Sequence, residues 1–174
     1  MPHAVAQNHR FTVLLANEQE GWHQTVRQLL QPQGVETVSA RSGREALNLL
    51  ESRPIHCAVL DAQMPQLGGL QVIKLMRELQ SRRHPNQQIP PSILLANQLT
   101  SHLLHEALGM HVFSVLSKPV DFNVLLDTLA RVLKRHYENK WPTECNGDSS
   151  REASRDEHAS ANGHSNGNGH RAAS

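Results

Sequence analysis

The sequence predicts an α/β domain whose parallel sheet and covering helices occupy residues 11–137. Three observations carry this. Short apolar runs of strand length alternate with longer stretches whose apolar residues recur at helical spacing, the pattern that builds strand–helix units. The alternation repeats five times, with helix-stopping or turn-forming residues between the units. Apolar content then stops: residues 138–174 contain no Val, Ile, Leu, Met or Phe, while Ser, Asn, Gly and His accumulate.

Residues 11–16 form the first strand. The stretch after it sets Trp22, Val26, Leu29 and Leu30 on one helical face and is closed by Pro32 and Gly34. Residues 35–40 are the second strand; Ser42 then caps a helix carrying Ala46, Leu47, Leu49 and Leu50, which Pro54 ends. The third strand, residues 57–60, runs directly into Asp61. After a loop at 62–68, a helix over about 69–79 buries Leu70, Ile73, Leu75 and Met76, and residues 81–91 make a polar connection. Residues 93–95 are the fourth strand, 99–108 a short helix stopped at Gly109, and 112–116 the fifth strand. The last helix, 122–137, points Val124, Leu125, Leu129, Val132 and Leu133 inward. Right-handed crossovers favour a doubly wound five-stranded parallel sheet in the flavodoxin-like order 2-1-3-4-5, with its ligand site at the carboxyl ends of the strands.

This gives three regions: a flexible N-terminus at 1–10, the folded domain at 11–137, and a disordered Ser/Asn/Gly/His-rich tail at 138–174. The tail lacks the apolar content that offsets ordering entropy, so no effector domain is expected there. Lys and Arg number 17 against 16 Asp and Glu, a net charge of +1, so bulk electrostatics point to neither nucleic acid nor membrane. Cys57 and Cys145 build no disulfide framework, and the opening residues lack the apolar core of a secretory signal. A cytoplasmic protein is expected.

Residues just after each strand gather at one edge of such a sheet. Here those ends are Ala16-Asn17-Glu18, Asp61 and Ser117-Lys118-Pro119. A carboxylate and an ammonium brought together there can bracket a small anionic group, the lysine neutralising developing charge. Val59-Leu60-Asp61-Ala62-Gln63-Met64-Pro65, followed by Gly68-Gly69-Leu70, together with Leu116-Ser117-Lys118-Pro119, resembles response-regulator receiver domains of the chemotaxis-regulator kind over residues 10–136. The resemblance implies that Asp61 is a phosphoacceptor, taking a phosphoryl group from a histidine kinase or phosphotransfer protein, with Lys118 binding a phosphate oxygen. It further implies Mg2+, held by acidic residues after the first strand, by Asp61 and by the carbonyl of Gln63. Output by protein contact is implied too, through the face made by the fourth helix, fifth strand and fifth helix. Such a domain is not an enzyme beyond self-catalysed phosphoryl transfer.

The departures mark an atypical member. Where the family carries consecutive acidic residues the sequence reads Ala16-Asn17, leaving Asn17 and Glu18 as ligands to a weakened Mg2+ site. Counting back from Lys118, the family's switch hydroxyl falls at Ala96 and its moving aromatic at Val115, so both parts of the usual relay are missing. These features favour, as the alternative, a phosphorylation-independent adaptor. Other signals are weaker. Gly68-Gly69 is too short and wrongly placed for a dinucleotide fingerprint, and Ser117 has no base beside it. His158, His164 and His170 sit in a tail that makes a poor metal site, His102, His105 and His111 complete no ligand set, and Arg82-Arg83-His84 reads as a solvated connection.

Overall fold

Strands β1 (Phe11–Ala16), β2 (Val35–Ala40), β3 (Cys57–Asp61), β4 (Ser92–Ala96) and β5 (Ser114–Ser117) form one parallel sheet in the order β2-β1-β3-β4-β5. This computed structural model describes residues 11–83 and 88–137, so the expectations for 1–10 and 138–174, and for His84, lie outside the described residues. Helices α1 (Glu20–Leu30), α2 (Gly43–Ser52), α3 (Gly69–Arg83), α4 (Ser101–Gly109) and α5 (Phe122–His136) complete the five strand–helix units that the sequence predicts.

The period of two along each strand divides the core between the two faces of the sheet. Phe11, Val13 and Leu15 of β1 and Cys57 and Val59 of β3 join one cluster with Val26 and Leu30 of α1 and Leu125, Leu129, Val132 and Leu133 of α5. Leu14 and Ala16, with Ala58 and Leu60, join the other against Ala46 of α2 and Val72 and Ile73 of α3. Strands buried on both faces are why these runs read as continuously apolar.

The helices depart from the predicted faces in ways that have physical causes. On α1 the buried stripe is His23, Val26 and Leu30, spaced i, i+3, i+7, whereas Leu29 is 37% exposed. On α5 the stripe is Leu125, Thr128, Leu129, Val132 and Leu133, so Val124, one position off it, is 47% exposed. Thr128 is tolerated inside because its hydroxyl donates to the Val124 carbonyl at 2.7 Å. Helix α3 runs to Arg83, past the expected end near Leu79, since no glycine or proline interrupts the chain before Pro85. Residues Val112 and Phe113 precede β5 instead of joining it: the Val112 amide returns to the Ala107 carbonyl at 3.0 Å, closing α4, and His111 takes a left-handed φ of 56°.

Cys57 is fully buried in β3, and desolvation pushes its thiol well above the ordinary value. The folded state therefore keeps a proton that the unfolded chain releases above about pH 9. Stability from this group is complete below that pH and falls as pH rises, by on the order of 1 kcal/mol per pH unit. Urea unfolding between pH 8 and about 11 is expected to show this decline in the wild type, and a smaller one in Cys57→Ala.

Candidate functional site

The register assembles the site. Strand β1 ends with Ala16 opposite Leu60, so the next residues, Asn17 and Asp61, stand side by side and point to the same face. Strand β4 ends at Ala96 opposite Ser117, and the Lys118 amide then bonds the Ala96 carbonyl at 2.8 Å. The chain continues through a cis Lys118–Pro119 peptide. Asp61 and Lys118, 57 residues apart in sequence, thereby meet at the carboxyl edge of the sheet.

Asp61 is 4% exposed and receives three donors. Its Oδ2 accepts from Lys118 Nζ at 2.6 Å and from Asn17 Nδ2 at 3.2 Å; its Oδ1 accepts from the Gln63 amide at 2.9 Å. A buried carboxylate needs such compensation, and hydrogen bonds to a charged group are the strong kind. The backbone behind Asp61 is tightly covered as well. A Cβ on Gly69 would lie 2.6 Å from the Asp61 carbonyl oxygen and 2.8 Å from Leu94 Cδ1. Gly69→Ala is therefore expected to cost about 1–3 kcal/mol by displacing α3 from the strand end, measured as a lower midpoint in urea with unchanged slope.

Asn17 is 5% exposed, and all four of its polar groups are engaged. Its amide N–H donates to the Ala40 carbonyl at 3.0 Å, and its own carbonyl accepts from His23 Nε2 at 2.6 Å. The Gln19 amide donates to Asn17 Oδ1 at 2.8 Å, which orients the side chain with its NH2 toward Asp61. His23 is fully buried on α1, and because a carbonyl only accepts, Nε2 carries the hydrogen; Nδ1 has no hydrogen-bond partner among the described residues. Sequence reasoning missed His23, although its spacing from Val26 and Leu30 would have placed it on the inner face.

Two expectations for this edge change. Ala16 is completely buried in the α2–α3 core, because the pleat sends it to the opposite face from Asp61, and the first two residues past the strand are Asn17 and Glu18. Asn17 also presents nitrogen, not oxygen, to Asp61. Glu18 is exposed on the rim of an open hollow shared with Ala62, Gln63, Met64 and Pro65. Among the described residues no three His, Cys, Asp or Glu side chains converge. The residues that end β1 and β3 include the Glu18 and Asp61 carboxylates, hard oxygen donors of the kind that hold Mg2+ through one or two carboxylates. That donor chemistry fits the ion, with less anionic charge than three carboxylates would supply.

Ala96 is 2% exposed, its methyl beside a hollow lined by Gln63, Asn97, Thr100 and Leu103, and Asn97 Nδ2 donates to Gln63 Oε1 at 3.1 Å. Val115 is half-buried and, like Leu103 and Met110, packs against the cluster that contains Leu60 and Leu94. The Cβ-branched apolar side chain fills space there without a hydroxyl or ring to move.

The response regulator receiver domain model matches residues 13–130. The CAI-1 autoinducer sensor kinase/phosphatase CqsS of Vibrio cholerae is 32% identical over 123 residues, 70% of this chain and 17% of that protein. Response regulator GtcR of Aneurinibacillus migulanus is 30% identical over 138 residues, 76% of this chain and 52% of that protein. The chain thus spans from about one-sixth to about half the length of these relatives. Among solved structures, the signal receiver domain of an HD domain-containing protein from Pseudomonas fluorescens Pf-5 superposes with a TM-score of 0.62 at 29% identity, covering 72% of this chain and 96% of that one. The chain belongs to the response regulator receiver family, the signalling domains of two-component systems. No helix of the described residues is long and apolar enough to cross a membrane.

Proposed function

We propose that residues 11–137 form a phosphoacceptor domain in the cytoplasm that takes a phosphoryl group on Asp61 from a phosphohistidine of a histidine kinase or phosphotransfer protein. The observation that carries this reading is the buried Asp61 with Lys118 Nζ at 2.6 Å, at the carboxyl edge of the sheet. An Asp61 oxygen attacks phosphorus and the P–N bond breaks; its electron pair returns to the imidazole, which takes a proton, and Asp61 becomes an acyl phosphate. Lys118 is placed to neutralise the phosphoryl oxygens as the carboxylate loses its charge in the new bond. Mg2+, bound through Glu18, Asp61 and the Gln63 carbonyl, would supply further charge neutralisation.

Output is by contact with a protein partner on the face of α4, β5 and α5. Leu104 and Leu108 on α4 and Val124 on α5 are 42%, 74% and 47% exposed, apolar side chains available to a partner on that face. Ala96 and Val115 favour a second reading, a phosphorylation-independent adaptor that presents this face constantly. The polar cluster around Asp61 favours transfer, since a binding scaffold has no need to bury a carboxylate against a lysine.

The test is incubation with acetyl phosphate and Mg2+ followed by intact mass. The expected product carries one phosphoryl group, stable to acid and labile to base. No adduct, together with no Mg2+ binding by titration, sinks the phosphoacceptor reading in favour of the adaptor.

A further inference from the structure

We infer that His23 is a positioning residue for the phosphoacceptor: through Asn17 it fixes an amide donor on Asp61, and so sets the rate at which Asp61 accepts phosphate. The inference rests on the reading of Asp61 as that acceptor. It starts from an imidazole that the site does not otherwise explain. His23 is completely buried on the inner stripe of α1, between the helix and the sheet edge, a place where an aliphatic residue would pack at no polar cost. The one hydrogen bond of its ring among the described residues runs from Nε2 to the Asn17 carbonyl, 2.6 Å.

That contact closes a set of constraints on one residue. The Asn17 peptide is held from β2 by the Ala40 carbonyl and from α1 by His23, while the Gln19 amide holds Oδ1. With the peptide and Oδ1 fixed, Nδ2 has one direction left, toward Asp61 Oδ2, which it meets at 3.2 Å beside Lys118 Nζ. Both donors fall on Oδ2. Oδ1 keeps only the Gln63 amide and has a lone pair available to attack phosphorus. Releasing the Asn17 peptide lets the amide rotate, and Asp61 is no longer held with one oxygen pinned and the other presented. Orientation of this kind governs rate more than affinity.

The variants are His23→Leu, which keeps volume and removes the donor, and His23→Gln, whose amide nitrogen can reach the same carbonyl. Two readouts are taken on the full chain after circular dichroism and thermal melting show that each variant is folded. One is the Asn17 side-chain NH2 resonance in a 15N-labelled sample, identified by its loss in Asn17→Asp; the other is the rate of adduct formation from acetyl phosphate and Mg2+ across donor concentrations. The expected result is that His23→Leu shifts the resonance and lowers the maximal rate about tenfold with little change in half-saturation, and that His23→Gln restores both. An unmoved resonance overturns the inference. So does a moved resonance with an unchanged rate, since His23 would then be architectural. If the wild type forms no adduct while the resonance moves in His23→Leu alone, the orienting role stands and the phosphoacceptor reading fails instead.

Discussion

Asp61→Asn is expected to form no phosphoryl adduct with acetyl phosphate and Mg2+ under the conditions in which the proposed function requires the wild type to form one, as read by intact mass. The amide is too weak a nucleophile to attack phosphorus, and it removes the negative charge that Lys118 and Asn17 converge upon. The substitution also changes stability in a defined direction. Asp61 meets an ammonium and a side-chain amide on Oδ2 and a backbone N–H on Oδ1, three donors that a neutral amide side chain holds less strongly. Asp61→Asn is expected to lower stability by about 1–3 kcal/mol, since it weakens hydrogen bonds to a buried charged acceptor. A gain in stability on urea unfolding would contradict this account of the electrostatics. An adduct that persists would place the phosphoacceptor elsewhere.

Lys118→Met has the next largest expected effect. It keeps an unbranched stem in the same space and deletes the ammonium that lies 2.6 Å from Asp61 Oδ2. In the reaction this charge is worth most when the phosphoryl oxygens pass between donor and acceptor, so the rate of adduct formation should fall on the order of 100-fold. Lys118→Arg is not a rescue, because a planar guanidinium cannot occupy the compact position of an ammonium. The rate is measured by the growth of the phosphorylated mass at fixed donor concentration. A Lys118→Met protein that gains phosphate as fast as the wild type would reduce Lys118 to a structural partner of Asp61.

The fold was legible because strands buried on both faces give short apolar runs whose ends show in the sequence, and five such runs admit few topologies. That Asp61 and Lys118 meet was legible for the same reason: Asp61 follows directly on the last apolar residue of β3, and Lys118 lies two residues beyond the last apolar residue of β5. Ala16 was misplaced because one residue of register, invisible in a run that is apolar on both faces, decides which face of the sheet a side chain takes. The role of Asn17 was open in sequence because its amide offers either oxygen or nitrogen, and only the Gln19 hydrogen bond chooses between them. His23 was hidden by its type, since a histidine between a tryptophan and polar residues reads as surface. Val124 and Leu29 were assigned inward by hydropathy, whereas helix phase turns them out.

Ala96 separates phosphorylation from its consequence. In the proposed function transfer would depend on Asp61, Lys118 and Asn17, which are joined by hydrogen bonds in this structure, whereas the methyl of Ala96 provides no bond to draw the α4 edge toward a phosphoryl group. Signal would then travel by another contact, and Asn97, whose side chain is already bonded to that of Gln63 two residues beyond Asp61, is a side-chain link from the end of β4 to that loop.

The most direct test of the central claim is chemical trapping of the modified residue. After incubation with acetyl phosphate and Mg2+, borohydride reduces an aspartyl phosphate to homoserine, and peptide mapping then reads position 61. Homoserine at 61, absent from Asp61→Asn and from protein kept without the phosphodonor, is the result predicted. Homoserine at another aspartate, or none in protein shown to be folded, would contradict it.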